Sequence, residues 1–288
     1  MTSRITFLGT AGDSFLIGKQ LRASGGFVVQ QDELQFHIDP GPGALVRLNQ
    51  QEINVRATTA ILVSKDHVHF CNDVNALIDA MTYSGLDKTG VLVSNSSLIN
   101  GTEIKDPYVT ELHKSYLEKF IALMPGQKLG IEDVEILALN TGLEESIGFK
   151  FITSEFTLCY SSDAKYSKEL AKEYEGADIL ILNIRNPSGE KEENCLNADD
   201  AVKIISKVAP KLTIITGFGI KMVKADPIYV AREIQKQTGC AILCAKDGLI
   251  VNPVSYSAKT NQKRLSSFEE PKPEIREPYE PESDNQSN

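Results

Sequence analysis

An α/β fold built from two similar halves is what this sequence predicts. Strand-like and helix-like patterns alternate almost to residue 254, and each half opens with a hairpin pattern before the alternation begins. At 288 residues, 41% hydrophobic and 24% charged, the chain is long enough to bury a large core and ordinary in composition for a globular protein.

The elements follow in order. Ile5 to Leu8 reads as a strand, and Gly26 to Asp39 as a hairpin turning near Gln31-Asp32-Glu33. The Gly-Pro turn Asp39-Pro40-Gly41-Pro42-Gly43 precedes a short helix. Next come a strand Ala60 to Val63, a helix Asn72 to Tyr83, a strand Gly90 to Ser94 and a helix Pro107 to Leu123. The second half begins with Val134 to Leu139 and a hairpin of Ile147 to Ile152 with Phe156 to Tyr160. It continues as helix Lys165 to Tyr174, strand Asp178 to Asn183, helix Ala198 to Val208, strand Leu212 to Thr216 and helix Pro227 to Thr238. A last hairpin is expected to turn at Asp247-Gly248. The expected organisation is one domain over 1–254 and a disordered acidic tail rich in Pro, Glu and Ser over 255–288, where too little apolar surface exists to offset chain entropy.

Composition narrows the classes of function. A formal net charge of -9 argues against a broad nucleic-acid surface, because phosphate binding leans on clustered Lys and Arg. No apolar run approaches the roughly 18 residues of a membrane span, and Met1-Thr2-Ser3-Arg4 lacks the apolar core of a secretory signal. Five cysteines, an odd number without CxxC spacing, sit mostly in apolar contexts such as Cys159, Cys240 and Cys244, as buried reduced thiols do. A cytoplasmic location is the expectation.

The segment from Thr58 to Asp73 is the most informative. Its strand runs into a polar turn, Ser64-Lys65-Asp66-His67-Val68-His69-Phe70, that holds two of the four histidines. This layout resembles the signature of the metallo-β-lactamase fold, in which a strand ends in Thr-His-x-His-x-Asp-His. Other motifs match in order: Phe7-Leu8-Gly9-Thr10, His37-Ile38-Asp39-Pro40-Gly41-Pro42-Gly43, Glu145-Ser146-Ile147-Gly148-Phe149 and Tyr160-Ser161-Ser162-Asp163. The resemblance covers nearly all of residues 1–254 and is nearest to the ribonuclease Z-like members. It implies a four-layered αββα sandwich and a hydrolase ancestry, with phosphodiester RNA as an ancestral substrate.

The same resemblance places the family's metal-site positions at Lys65, His67, His69, Phe70, Leu143, Asp163 and Gly217. His67 and the bridging carboxylate Asp163 are kept, whereas Phe70, Leu143 and Gly217 offer no donor atom, and Cys195 falls where relatives often carry a further histidine. A catalytic zinc needs roughly three protein ligands, and a dinuclear centre needs two such sets. The expectation is therefore no metal cofactor and a catalytically impaired protein that binds a ligand or protein partner, pairing with itself or with an active relative. The alternative is a hydrolase with one zinc or iron ion held by His67, His69 and Asp163, since histidines two apart in extended backbone point to one side.

Lys65 carries a physical expectation of its own. A carboxylate at the bottom of a cleft that has lost its metals lacks a counter-charge, and Lys65 either supplies it to Asp163 or turns outward and leaves Asp163 solvated. Cys71 is expected to be a buried apolar residue more than a ligand. Asp13-Ser14 and Ser161-Ser162 are expected in capping and turns, and the Gly217 to Lys221 stretch lacks phosphate-loop spacing and reads as a tight strand-to-helix turn.

Overall fold

The computed structural model describes residues 3–257. The predicted tail, 255–288, lies outside the described residues except for 255–257, which include the end of the 3-10 turn Pro253–Tyr256.

Two sheets form the centre of the molecule. The first contains β1 (Arg4–Phe7), β2 (Phe27–Gln31), β3 (Leu34–Ile38), β4 (Ala60–Leu62), β5 (Val91–Ser94) and β6 (Lys119–Ala122). The second contains β7 (Lys128–Ile131), β8 (Val134–Asn140), β9 (Ile147–Ile152), β10 (Thr157–Tyr160), β11 (Ile179–Asn186), β12 (Leu196–Asn197), β13 (Leu212–Thr216) and β14 (Ile242–Cys244). The last strand, β15 (Ile250–Val251), returns to the first sheet beside β1. In each sheet an antiparallel meander passes into parallel strands, at β3 in the first and at β10 in the second. That shared layout is the one the two-halves pattern predicts.

Three apolar cores make the four layers. Between the sheets lie Phe7, Phe36, Ile38, Leu62, Phe149, Phe151 and Ile181, with Phe36 and Phe151 edge to face at 5.6 Å. Because side chains alternate along a strand, Ile61 and Val63 face the other way, onto the helix Val74–Thr82 through Leu77, Ile78 and Met81. Leu180 and Leu182 likewise meet Ile204 and Ile205 of the helix Ala198–Val208 and Ile234 of the helix Pro227–Thr238. The αββα sandwich is the predicted fold. Among the described residues no helix is long and apolar enough to cross a membrane.

Local departures have identifiable causes. The predicted helix Pro107 to Leu123 is helical only over Glu111–Tyr116; Leu117 turns extended and the chain then pairs with β5 as β6, an edge strand whose ladder outweighs helix propensity. The predicted helix Lys165 to Tyr174 shrinks to Leu170–Glu173, because Lys165 N–H is bonded to Thr141 O and Ser167 Oγ accepts the Leu170 N–H. The last pair of strands is no hairpin: β14 pairs with β13 and β15 with β1, so Asp247-Gly248 carries the chain from one sheet to the other. Asp247 anchors that crossing by accepting from Thr10 Oγ1 and Ala23 N–H. The strand β7 and the helix Ser96–Asn100 are additions that the hydrophobic pattern does not signal.

Candidate functional site

Lys65, Asp163 and Gly217, three of the positions that the resemblance assigns to a metal site, lie at the carboxyl ends of central strands, where ligand sites of open parallel sheets are found. Lys65 follows β4 and bridges to Ser146 ahead of β9; Asp163 follows β10, and Gly217 follows β13. Lys65 turns inward, its Nζ 2.9 Å from Asp163 Oδ2, with the Asp163 side chain 7% exposed and that of Lys65 22%. A second cation, Arg185 of β11, donates through Nη2 to the same oxygen at 3.1 Å. Burial works against the Arg185 charge, but the Asp163 carboxylate and other negative neighbours outweigh it and raise its pKa.

Of the two histidines expected in extended backbone, only His67 sits there. A short helix, Val68–Cys71, begins directly after β4's turn; His67 is its N-cap and His69 lies inside it. The His67 Nδ1 accepts the His69 N–H at 3.3 Å, and the two rings still meet edge to face at 4.5 Å. His69 Nε2 contacts Ser14 Oγ at 3.2 Å. Burial and then the charge of His67 and Arg185 lower His69 to about 4, and burial and then Lys65 lower His67, so both rings are neutral at neutral pH.

The remaining positions take structural roles. The Phe70 ring lies under Lys65 Nζ at 5.7 Å, and Leu143 is half-buried on the loop after β8. Gly217 has φ +67, and a Cβ there would lie 2.8 Å from Asn183 Cγ, so the space of a side chain is taken. It forms the tight strand-to-helix turn that its sequence suggests, between β13 and the helix Ile220–Lys224. Cys71 is buried and donates to His67 O, with burial pushing its thiol up to about 12; Cys195 is half-buried near Asp163 and is also pushed up to about 12, by burial first and then by Asp163. Asp13 caps the helix Ser14–Gly18 and also accepts the Ile220 N–H, tying two turns together.

Several site residues carry little or no sequence signal. Arg185 is a lone cation in the apolar run of β11, and that oddity is the one clue to it. Behind the cleft, Asp39 is fully buried and accepts from Ser64 N–H (2.7 Å), Ser64 Oγ (2.7 Å) and Tyr160 OH (2.6 Å). Burial pushes its carboxyl up to about 7 against the opposing pull of those hydrogen bonds. Ser64 Oγ also meets Ser162 Oγ at 2.6 Å, and Ser162 sits at φ +55, a conformation that polar turn networks hold in place. Asp66, buried beside Lys65, pairs with Lys105 at 2.7 Å and accepts from Ser97 Oγ at 2.6 Å.

The donor set can be compared with what a metal needs. Phe70, Leu143 and Gly217 bring no ligand atom, Asp163 Oδ2 is taken by two cations, and His67 Nδ1 is taken by a backbone N–H. Among the described residues no three His, Cys, Asp or Glu side chains converge as a metal site. These residues do not fit a dinuclear centre of the usual kind.

Known proteins show the same architecture. A family model described as beta-lactamase superfamily domain matches residues 35–218. An uncharacterized protein of Methanocaldococcus jannaschii is 33% identical over 255 residues, covering 87% of this chain and 95% of that protein. Among solved structures, the metallo-beta-lactamase fold protein YhfI from Bacillus subtilis superposes with a TM-score of 0.72 at 18% identity, over 87% of this chain and 99% of its own. The short form of human tRNase Z gives 0.60 at 14% identity, over 86% and 98%. At such identities the two structures speak for the fold alone.

Proposed function

The chain belongs to the beta-lactamase superfamily, and on that premise we propose that it is a catalytically impaired member which binds a ligand or protein partner at its cleft without a dinuclear metal centre. The observation that carries this reading is the Lys65–Asp163–Arg185 cluster. By the family resemblance Asp163 is a carboxylate that would hold metal ions, whose charge would activate water and stabilise the leaving oxygen. Here two side-chain cations neutralise that carboxylate, and neither can activate water as a Lewis acid. Pairing with a second copy or with an active relative is part of the same proposal, as is a cytoplasmic location, which five free cysteines favour.

A hydrolase with one metal on His67, His69 and Asp163 is the second reading, and the proximity of the two neutral rings favours it. It requires Asp163 to leave Lys65 and Arg185 and His67 to give up its capping bond. Elemental analysis of the purified protein, before and after zinc or iron loading, tests the two. The proposal expects no stoichiometric metal. Two tightly bound metals per chain would overturn it, and one metal lost in both His67→Ala and Asp163→Ala would establish the second reading.

A further inference from the structure

Polar side chains meet at one end of the space between the sheets. Along β10, β11 and β13 the inward row turns polar toward the carboxyl end: Leu158 gives way to Tyr160, Ile181 to Asn183, and Ile214 to Thr216. Alternation puts Tyr160, Asn183 and Thr216 on the inter-sheet face, and the parallel register sets Asn183 beside Thr216. With Asp39 from the opposite sheet they line a cavity of about 40 Å³, walled by Phe7, Phe27 and Phe70 and reaching His69 on the cleft side.

Hydrogen-bond accounting leaves acceptors over. Tyr160 gives its only hydroxyl proton to Asp39, so its oxygen must accept from Asn183 Nδ2, at 3.1 Å. That fixes the amide orientation and turns Asn183 Oδ1 away from Tyr160, to 3.0 Å from where a Cβ at Gly217 would stand. Asn183 is 8% exposed and Thr216 5%, yet neither Asn183 Oδ1 nor Thr216 Oγ1 has a hydrogen-bond partner among the described residues. Asp39 Oδ1 accepts only the Ser64 N–H and keeps a lone pair.

Among the described residues no side-chain cation pairs with Asp39. All three donors to Asp39 are neutral, while Lys65 and Arg185 are held by Asp163. A buried carboxyl without a cation beside it resists ionising, which is why that of Asp39 is pushed up to about 7, and a cation in the cavity would favour its charged form. We propose that the cavity binds a small primary ammonium group, which donates to Asn183 Oδ1, Thr216 Oγ1 and Asp39 while its short alkyl part packs against Phe7, Phe27 and Phe70. A volume near 40 Å³ holds on the order of three water-sized groups, which suits an ammonium head with one or two carbons. The inference rests on reading the cleft as a binding site, and it supplies the chemical class of what is bound.

The test is calorimetric titration and thermal melting of the full chain with methylammonium chloride, against sodium, potassium and tetramethylammonium chlorides at equal ionic strength. The expected result is saturable binding and a raised Tm with methylammonium alone, because tetramethylammonium has no N–H and exceeds the cavity. Thr216→Val keeps the shape and removes the hydroxyl, and is expected to weaken binding about tenfold or more. Asp39→Asn is expected to abolish it; should that variant fail to fold, Asn183→Leu serves in its place. Absence of saturable binding, an equal response to sodium or potassium, or full affinity in Thr216→Val overturns the proposal. Metal content measured on the same preparation tests the underlying reading of the cleft separately, whatever the amine result.

Discussion

Lys65 Nζ stands 2.9 Å from Asp163 Oδ2 across 98 residues of sequence, in a cleft where the carboxylate is almost wholly buried. Lys65→Ala removes one of two cations from that oxygen and leaves Arg185 to hold it alone. The expected cost is about 1–3 kcal/mol, above the roughly 0–1 kcal/mol of an exposed pair. Urea unfolding of Lys65→Ala, Asp163→Asn and the double variant measures it, with the double variant recovering part of the loss. A Lys65→Ala protein as stable as the parent would remove the physical basis of the cluster.

Asp39 makes stability fall as pH rises. Its carboxyl lies at about 7 in the fold against 3.8 for the ordinary group, so the folded state holds the proton more tightly. The stability this contributes is complete below about pH 4 and is lost as pH rises through about 7. Measured against Asp39→Asn across that window, wild type should lose ground steadily. A pH-independent difference between the two would show that Asp39 does not titrate there.

His37 acts in the opposite direction. Fully buried in β3 with Nε2 on Gly25 O at 2.9 Å, it is lowered by burial to about 4 from 6.5. The unfolded chain therefore takes up the proton first, and stability falls as pH drops from about 6.5 toward 4. His37→Gln should flatten that part of the denaturation profile, leaving the slope that His67 and His69 contribute.

Gly217 is held by its surroundings. Its φ of +67 and the crowding by Asn183 predict that Gly217→Ala costs about 1–3 kcal/mol. Gly176 has φ +77 with open space around it, so Gly176→Ala meets backbone strain alone. Thermal melts should rank Gly217→Ala as the more damaging; equal losses would mean that the contact with Asn183 yields easily.

The two halves share one core, as Phe36 of β3 against Phe151 of β9 illustrates. Limited proteolysis is expected to leave residues 3–254 as a single fragment. Early cleavage near residue 126, yielding two independently folded pieces, would contradict a common interior.

Fold class and much of the element order were legible in the residues alone. Near-continuous apolar runs such as Ile179–Asn186 and Leu212–Thr216 declare themselves because parallel strands are buried on both faces, and the amphipathic helices Ala198–Val208 and Pro227–Thr238 because burial on one face imposes a period that local composition must obey. That Phe70, Leu143 and Gly217 offer no donor atom was equally legible, since donor capacity is a property of residue type. Tertiary structure alone decided where the charges go. Whether Lys65 faced Asp163 or water, and that Arg185 shares the same oxygen, depended on which strand ends the two sheets bring together. It also decided that β14 and β15 belong to different sheets and that residues 119–122 pair as a strand, because backbone ladders between distant segments outweigh local propensity. Asp39, Tyr160, Asn183 and Thr216 come from four separate strands or strand ends, and only packing the sheets face to face encloses their polar atoms around one cavity.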